Sequence, residues 1–360
     1  MDKQILPAFT GIRFVAVLFV FLFHYAKMIM PDGQQSFIYF FFKQLNIGVS
    51  LFFILSGFLI TYRYFNSELK GKRLRNYFLK RIARILPLYF AVLSIQLLLL
   101  YFYKHNSTDA FSVFLNITLL KGFSEVYFFS VLTQTWSLTV EETFYLFAPL
   151  CFYLIREKGL FYFQILMLLG IGFLLSSLLS PKVFGSNIFM LSGTFFGRCF
   201  EFFVGIKLAL FILKRPVVKK KSYYTTIGGV LFILLLSGLA YYAYKENIEV
   251  VNYNFIGIVL FNFLIPLSIG LMYYGLIVEN SQLRALLGTK IFVLLGNSSY
   301  AFYLLHIGLI SEIIYLHIAS NLILLFVILQ SLSIVVYELF EKPARVFTIR
   351  KFAKSNNQLG

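Results

Sequence analysis

The chain has 360 residues, of which 59% are hydrophobic and only 13% charged, with a formal net charge of +17 and a mean hydropathy of +0.82. Soluble domains carry about a quarter charged residues, so composition excludes that class. Apolar runs of about 20 residues recur, each long enough to cross a hydrocarbon core of roughly 30 Å. The basic excess does not point to nucleic acid, because lysines and arginines cluster between apolar runs instead of covering a soluble face.

In chain order the hydropathy predicts ten spans, at roughly 8–29, 41–62, 84–103, 138–155, 159–180, 192–213, 224–244, 254–278, 291–313 and 319–340. The expected fold is an all-α polytopic membrane bundle. The first run reads as a retained span, since it lacks a cleavable-leader pattern. Basic clusters fall at 63–84 ("RYFNSELKGKRLRNYFLKRIAR"), at 214–221 ("KRPVVKKK") and after Glu341. With ten spans all three share one side, which the positive-inside rule makes the cytoplasm, along with both termini. The 104–137 connection is aromatic and should fold back onto the bundle from outside, as a re-entrant or interfacial segment. A single domain over 1–345 with a basic tail at 346–360 is expected. Cys151 and Cys199 lie in apolar runs and imply no disulfide framework.

The first span contains "RFVAVLFVFLFH", a charged residue and an imidazole separated by ten apolar residues. Eleven helical steps bring Arg13 and His24 within about 20° of one face, about 16 Å apart along the axis. Arg13 alone could snorkel to headgroups and His24 alone could brace a neighbouring helix. A pair on one face favours function, since ionisable groups within a membrane are costly.

Further along, "GVSLFFILSGFLIT" puts Gly48, Ser56 and Gly57 among bulky residues, where small side chains permit close helix packing. "KRIARILPLYF" places Arg81 and Arg84 on one face at the third span's entrance. They suit phosphates through forked hydrogen bonds, although positive-inside anchoring is the commoner role. Pro87 would then sit in the first turn, where a missing N–H costs little. In "WSLTVEETFYL", Glu141 and Glu142 point about 100° apart. One can face the interior and pair with a cation or with His24; equally, both could cap the helix start. Arg198 and Glu201 are spaced as an internal ion pair, a brace more than a site. His306 ends "GNSSYAFYLLH" in the ninth span. His105 and His317 fall in connections. Neither a metal-binding cluster, a nucleotide-binding glycine motif nor a serine elbow is present.

These motifs, with "EKPAR" at 341–345, occur in the order seen in the membrane-bound acyltransferase 3 family, and the resemblance runs from about residue 7 to residue 345. The resemblance implies about ten core helices and transfer of an acyl group, commonly acetyl, from cytoplasmic acyl-CoA to a hydroxyl of an extracytoplasmic carbohydrate such as O-antigen, exopolysaccharide or peptidoglycan. It places Arg13 and His24 in the family's essential arginine–histidine motif, and Arg81 and Arg84 on its acyl-CoA-handling arginines. Glu141 takes the acidic position after Trp136 and Ser137; Tyr300 and His306 match the late motif. Ser50 departs from the aspartate many members carry there. The site expected from residues and resemblance together is thus His24, Arg13 and Glu141 for chemistry and Arg81 and Arg84 for acyl-CoA. His306, Tyr300, Glu142, Arg198, Glu201 and Trp136 could serve the acceptor site or the structure.

Acyl-CoA enters as a substrate, no permanently bound cofactor or metal is implied, and the expected location is a bacterial cytoplasmic membrane. A proton-coupled transporter or a flippase for lipid-linked glycans, with His24 and Glu141 as a relay, is the competing reading. It lacks the internal repeat such proteins often show. Succinyl or another acyl group could replace acetyl.

Overall fold

The computed structural model describes residues 5–31, 33, 35–105, 108–214, 222–251, 254–319 and 321–355, and among these every regular element is helical. The principal helices are α1 (Ile5–His24), α2 (Phe37–Phe42), α3 (Gly48–Tyr64), α4 (Gly71–Phe102), α5 (Ala110–Ile117), α6 (Trp136–Lys158), α7 (Phe161–Leu178), α8 (Phe195–Lys214) and α9 (Tyr224–Glu246). They are followed by α10 (Phe255–Val278), α11 (Lys290–Asn297), α12 (Ser299–Leu305), α13 (Leu309–His317) and α14 (Leu322–Val336), which runs through a π-helical turn at Tyr337–Glu341 into Lys342–Ser355.

Among the described residues eight helices are long and apolar enough to cross a membrane, and nine if the bent pair α12–α13 counts as one span. α8 has 20 residues, but Arg198, Glu201 and Lys207 make it too charged to be recognised by apolarity. The ninth expected span is therefore not continuous. It turns by 78° between Leu305 and Leu309, at Gly308 with a φ of +111°, a conformation glycine adopts without Cβ strain.

Close packing of α3 on α8 defines the middle of the bundle. A Cβ on Gly57 would lie 2.2 Å from the Phe202 carbonyl oxygen, and one on Gly205 would lie 2.1 Å from that of Ile54. The two backbones touch because neither residue has a side chain there. Gly48 does the same for α1, where a Cβ would meet the Ala16 carbonyl at 2.4 Å.

α4 starts well before its expected span and has 32 residues. Pro87 consequently lies in its interior, not in a first turn, and leaves the Ala83 carbonyl without its helical N–H partner. The long connection after α4 folds back. Gln134 donates to the Leu304 carbonyl at 2.7 Å, and Gly122 N–H donates to Thr139 Oγ1 at 3.1 Å. The buried Lys121 ammonium ties the connection together through the carbonyls of Ser130 and Leu132. Phe111, Phe114 and Ile117 of α5 remain exposed. Most of the basic 214–221 cluster and the last five residues of the tail lie outside the described residues.

Candidate active site

Four cavities lie in series and share walls. The first is a mouth lined by Arg13, Arg63, Lys80, Arg81, Arg84 and Arg345, six cations against the single carboxylate Glu341, with about 940 Å³ of open space. Its wall residues Arg13, Arg84, Ser299 and Tyr300 also line a narrower inner chamber, of about 550 Å³, that holds Ser56 and Glu141. Val49 and Tyr303 join this chamber to a third cavity containing His24, Asn46 and Trp136. His24 and Thr133 join that cavity to a vestibule with about 1490 Å³ of open space. The vestibule is lined by Tyr25, Gln96, Lys104, Glu312 and Tyr315.

α1 is one uninterrupted helix, so the predicted shared face of Arg13 and His24 is realised. Arg13 stands at the junction of mouth and chamber; His24 stands between the third cavity and the vestibule. Arg81 and Arg84 lie more than two turns inside α4, where its apolar stretch begins, and both line the mouth. Arg81 is buried, with its guanidinium 5.5 Å from the Tyr145 ring centroid and its Nε without a partner. Among the described residues no ion pair engages Arg13, Arg81 or Arg84.

Glu141 lies in the second turn of α6, so it does not cap the helix start. Its Oε1 accepts hydrogen bonds from Ser56 and Tyr145, and the Tyr145 carbonyl accepts one from Tyr77 at 2.8 Å. Glu141 therefore belongs with the arginines of the chamber; no hydrogen bond joins it to His24 among the described residues. The imidazole beside His24 is that of His306, with centroids 5.2 Å apart. His306 is buried and its Nδ1 lies 2.8 Å from the Tyr303 carbonyl, which assigns the ring proton to Nδ1. Its Nε2 has no partner, and His24 forms no hydrogen bond within the described residues.

The remaining candidates divide cleanly. Tyr300 lines both mouth and chamber and donates to the Ile85 carbonyl at 2.9 Å. Trp136 opens α6 and stacks on Phe128 at 5.0 Å. Glu142 Oε1 is buried without a partner among the described residues. Arg198 and Glu201 form a fully buried, two-point ion pair, at 3.0 and 2.8 Å. Ser50 completes it, donating to Glu201 at 2.7 Å and accepting from Arg198 at 3.0 Å. The residue that departs from the family pattern thus sits on this brace and not in the chamber.

Several residues of the chamber and mouth escape a reading of the sequence. Ser56 is not merely a small packing residue, because its hydroxyl holds Glu141. Tyr145 is signalled only by its i+4 spacing from Glu141, and Glu341 and Arg345 only by their place in "EKPAR".

The profile described as an acyltransferase domain, Acyl_transf_3, matches residues 6–337. A protein of Acidianus two-tailed virus, provisionally named acetyltransferase ORF330, is 28% identical over 319 residues, covering 85% of this chain and 84% of its own length. A provisionally named O-acetyltransferase of Staphylococcus aureus strain COL is 24% identical over 85% of this chain, which spans 51% of that relative. Peptidoglycan O-acetyltransferase OatA of Listeria monocytogenes is 26% identical over 65% of this chain and 39% of its own length. The chain thus spans about half or less of these two cellular relatives. No solved structure matches it.

Proposed function

Given that the chain belongs to the acyltransferase 3 family, we propose that it moves an acyl group, acetyl by default, from acyl-CoA at the basic mouth to a carbohydrate hydroxyl at the vestibule. The observation that carries this reading is the series of cavities, which, among the described residues, begins at three arginines that have no ion partner and reaches an imidazole that has no hydrogen bond. Unpaired guanidiniums in a membrane bundle are expensive, and a polyphosphorylated donor supplies the missing charge. Arg81 and Arg84 take the phosphates, with Arg13 behind them. The acyl-bearing arm extends past Ser56 and Glu141 toward His24, a distance set by the separation of about 16 Å along α1.

His24 then acts as general base for the acceptor hydroxyl or as a transient acyl carrier. In the first case the hydroxyl proton passes to the imidazole, the hydroxyl oxygen bonds to the thioester carbon, and CoA leaves as thiolate. Glu141 positions the arginine side of the chamber through Ser56 and Tyr145, in place of the direct carboxylate–imidazole contact of a hydrolase triad. The basic mouth faces the cytoplasm, in a bacterial cytoplasmic membrane, and the acceptor arrives from outside. A proton relay would require His24 and Glu141 to communicate, and Glu141 is instead bonded to Ser56 and Tyr145.

The test uses inverted vesicles with labelled acetyl-CoA outside and isolated surface glycan as acceptor, comparing wild type with His24→Ala. Label reaching glycan only when His24 is present supports the reading. Equal transfer by an inserted, stable His24→Ala protein removes His24 from the chemistry. Glycan translocation that needs no acyl-CoA would establish the flippase instead.

A further inference from the structure

Lys207 lies within α8, on the outside of the bundle and away from the four cavities. Its side chain is exposed, and no carboxylate pairs with it among the described residues. The ammonium lies 4.9 Å from the Phe161 ring centroid and 5.1 Å from that of Tyr162, and it donates to the Tyr162 hydroxyl at 3.3 Å. Two aromatic faces and a phenol hold the cation without neutralising it. Its remaining side opens on a groove between α7, α8 and α10, with about 1040 Å³ of open space.

The groove is apolar apart from Lys207 and the hydroxyl-bearing Tyr162 and Tyr274. Phe200, Phe203, Val204, Leu267 and Gly270 line it on one side of the lysine, and Phe211 and Tyr274 on the other. Lys207 precedes the end of α8 at Lys214 by seven residues, about 10 Å of helix. It lies level with Tyr162, the second residue of α7, so the unpaired ammonium sits where lipid headgroups begin. A ligand that supplies one negative charge at Lys207 and a hydrocarbon chain beyond it satisfies both halves of the groove.

We infer that this groove is a binding site for one anionic phospholipid, its phosphate on the Lys207 ammonium and Tyr162 hydroxyl and one acyl chain over Phe203 and Leu267. The charge selects the headgroup; the groove selects a chain-bearing molecule over free phosphate. Surface lysines gain only modestly from anionic lipid, so the preference over a zwitterionic lipid should be about fivefold.

The full chain, purified in detergent and stripped of lipid, is titrated with phosphatidylglycerol, phosphatidylcholine or glycerol phosphate, and bound mass is read by native mass spectrometry. One phosphatidylglycerol should be retained about fivefold more tightly than phosphatidylcholine. Lys207→Met should abolish the preference and Lys207→Arg should keep it. Leu267→Trp, which fills the groove and leaves the lysine, should lose both lipids. Equal retention of the two lipids by wild type, or an unchanged preference in Lys207→Met, overturns the site. Competition by glycerol phosphate as strong as that by the whole lipid overturns the lipid assignment. Should Lys207→Met fail to elute as wild type does, Lys207→Arg and Leu267→Trp still decide.

Discussion

Arg84 stands in the wall shared by the mouth and the chamber, and it differs from a lysine in more than shape. A guanidinium presents a fork of donors to a phosphate, whereas an ammonium is a point charge. Arg84→Lys keeps the charge of the site and removes the fork, so it should raise the KM for acyl-CoA by about tenfold while changing kcat less. Steady-state kinetics with the acceptor saturating separates the two. Equal KM values would mean that the donor's phosphates do not reach this residue. Ser56→Ala tests the other wall of the chamber. Loss of one hydrogen bond to a charged acceptor costs about 1.5–3 kcal/mol. If Glu141 serves the bound donor, the loss should appear in kcat, with stability lowered only slightly because Tyr145 still holds the carboxylate. A thermal melt beside the kinetics distinguishes a displaced Glu141 from a weakened fold.

The shared face of Arg13 and His24 was legible because both residues lie on one helix, and helical periodicity is a local property. The partners of Glu141 were not, since the face that α3 turns toward α6 is a tertiary fact. The meeting of His24 with His306 is a further step removed. It depends on the end of α12 and on the turn at Gly308, and hydropathy averages such a turn into one apolar run. Gly308 at φ +111° gives the element its test. Any side chain there is strained, by about 1–3 kcal/mol, and the strain falls next to His306 and Leu309. Gly308→Ala should lower the melting temperature and reduce kcat, whereas Gly170→Ala, at a helical glycine with open space around its Cβ position, should do neither.

Outside the spans, one carboxylate ties several elements together. Glu249 accepts from Tyr39 of α2 at 2.7 Å and pairs with Lys27 at 3.2 Å and Lys43 at 3.1 Å. Partial burial pushes its carboxyl upward, but the Tyr39 hydroxyl and the two ammoniums outweigh that and hold it at about 2. The folded value is below the unfolded one, so this stabilisation is complete above the ordinary value of 4.5 and is lost as pH falls toward about 2. Melting in detergent across that range should show wild type losing its advantage over Glu249→Gln as acid is added. Parallel curves would show that the junction contributes nothing that titrates.

Across the whole molecule the two ends of the cavity series differ in charge. Six cations face one acid at the mouth, whereas at the vestibule Lys104 and Glu312 are paired at 2.6 Å and cancel. The sequence made the first half of this asymmetry visible, because basic clusters between spans are a compositional signal. The second half depends on α13 bringing Glu312 to the end of α4, which no local pattern announces. The asymmetry bears on which substrate enters where. A field of one sign draws in a charged ligand, and salt weakens that attraction over a screening length of about 10 Å at 0.1 M. The KM for acyl-CoA should therefore rise with ionic strength. A vestibule without net charge gives no such pull, and its tyrosines, its amide and its ion pair suit neutral sugar hydroxyls. Between neutral and anionic oligosaccharides of equal length, the neutral acceptor should be acylated with the higher kcat/KM, and its KM should stay level as salt is raised. Preference for the anionic acceptor, abolished by Lys104→Met, would instead mean that Glu312 is displaced from Lys104 when the acceptor binds.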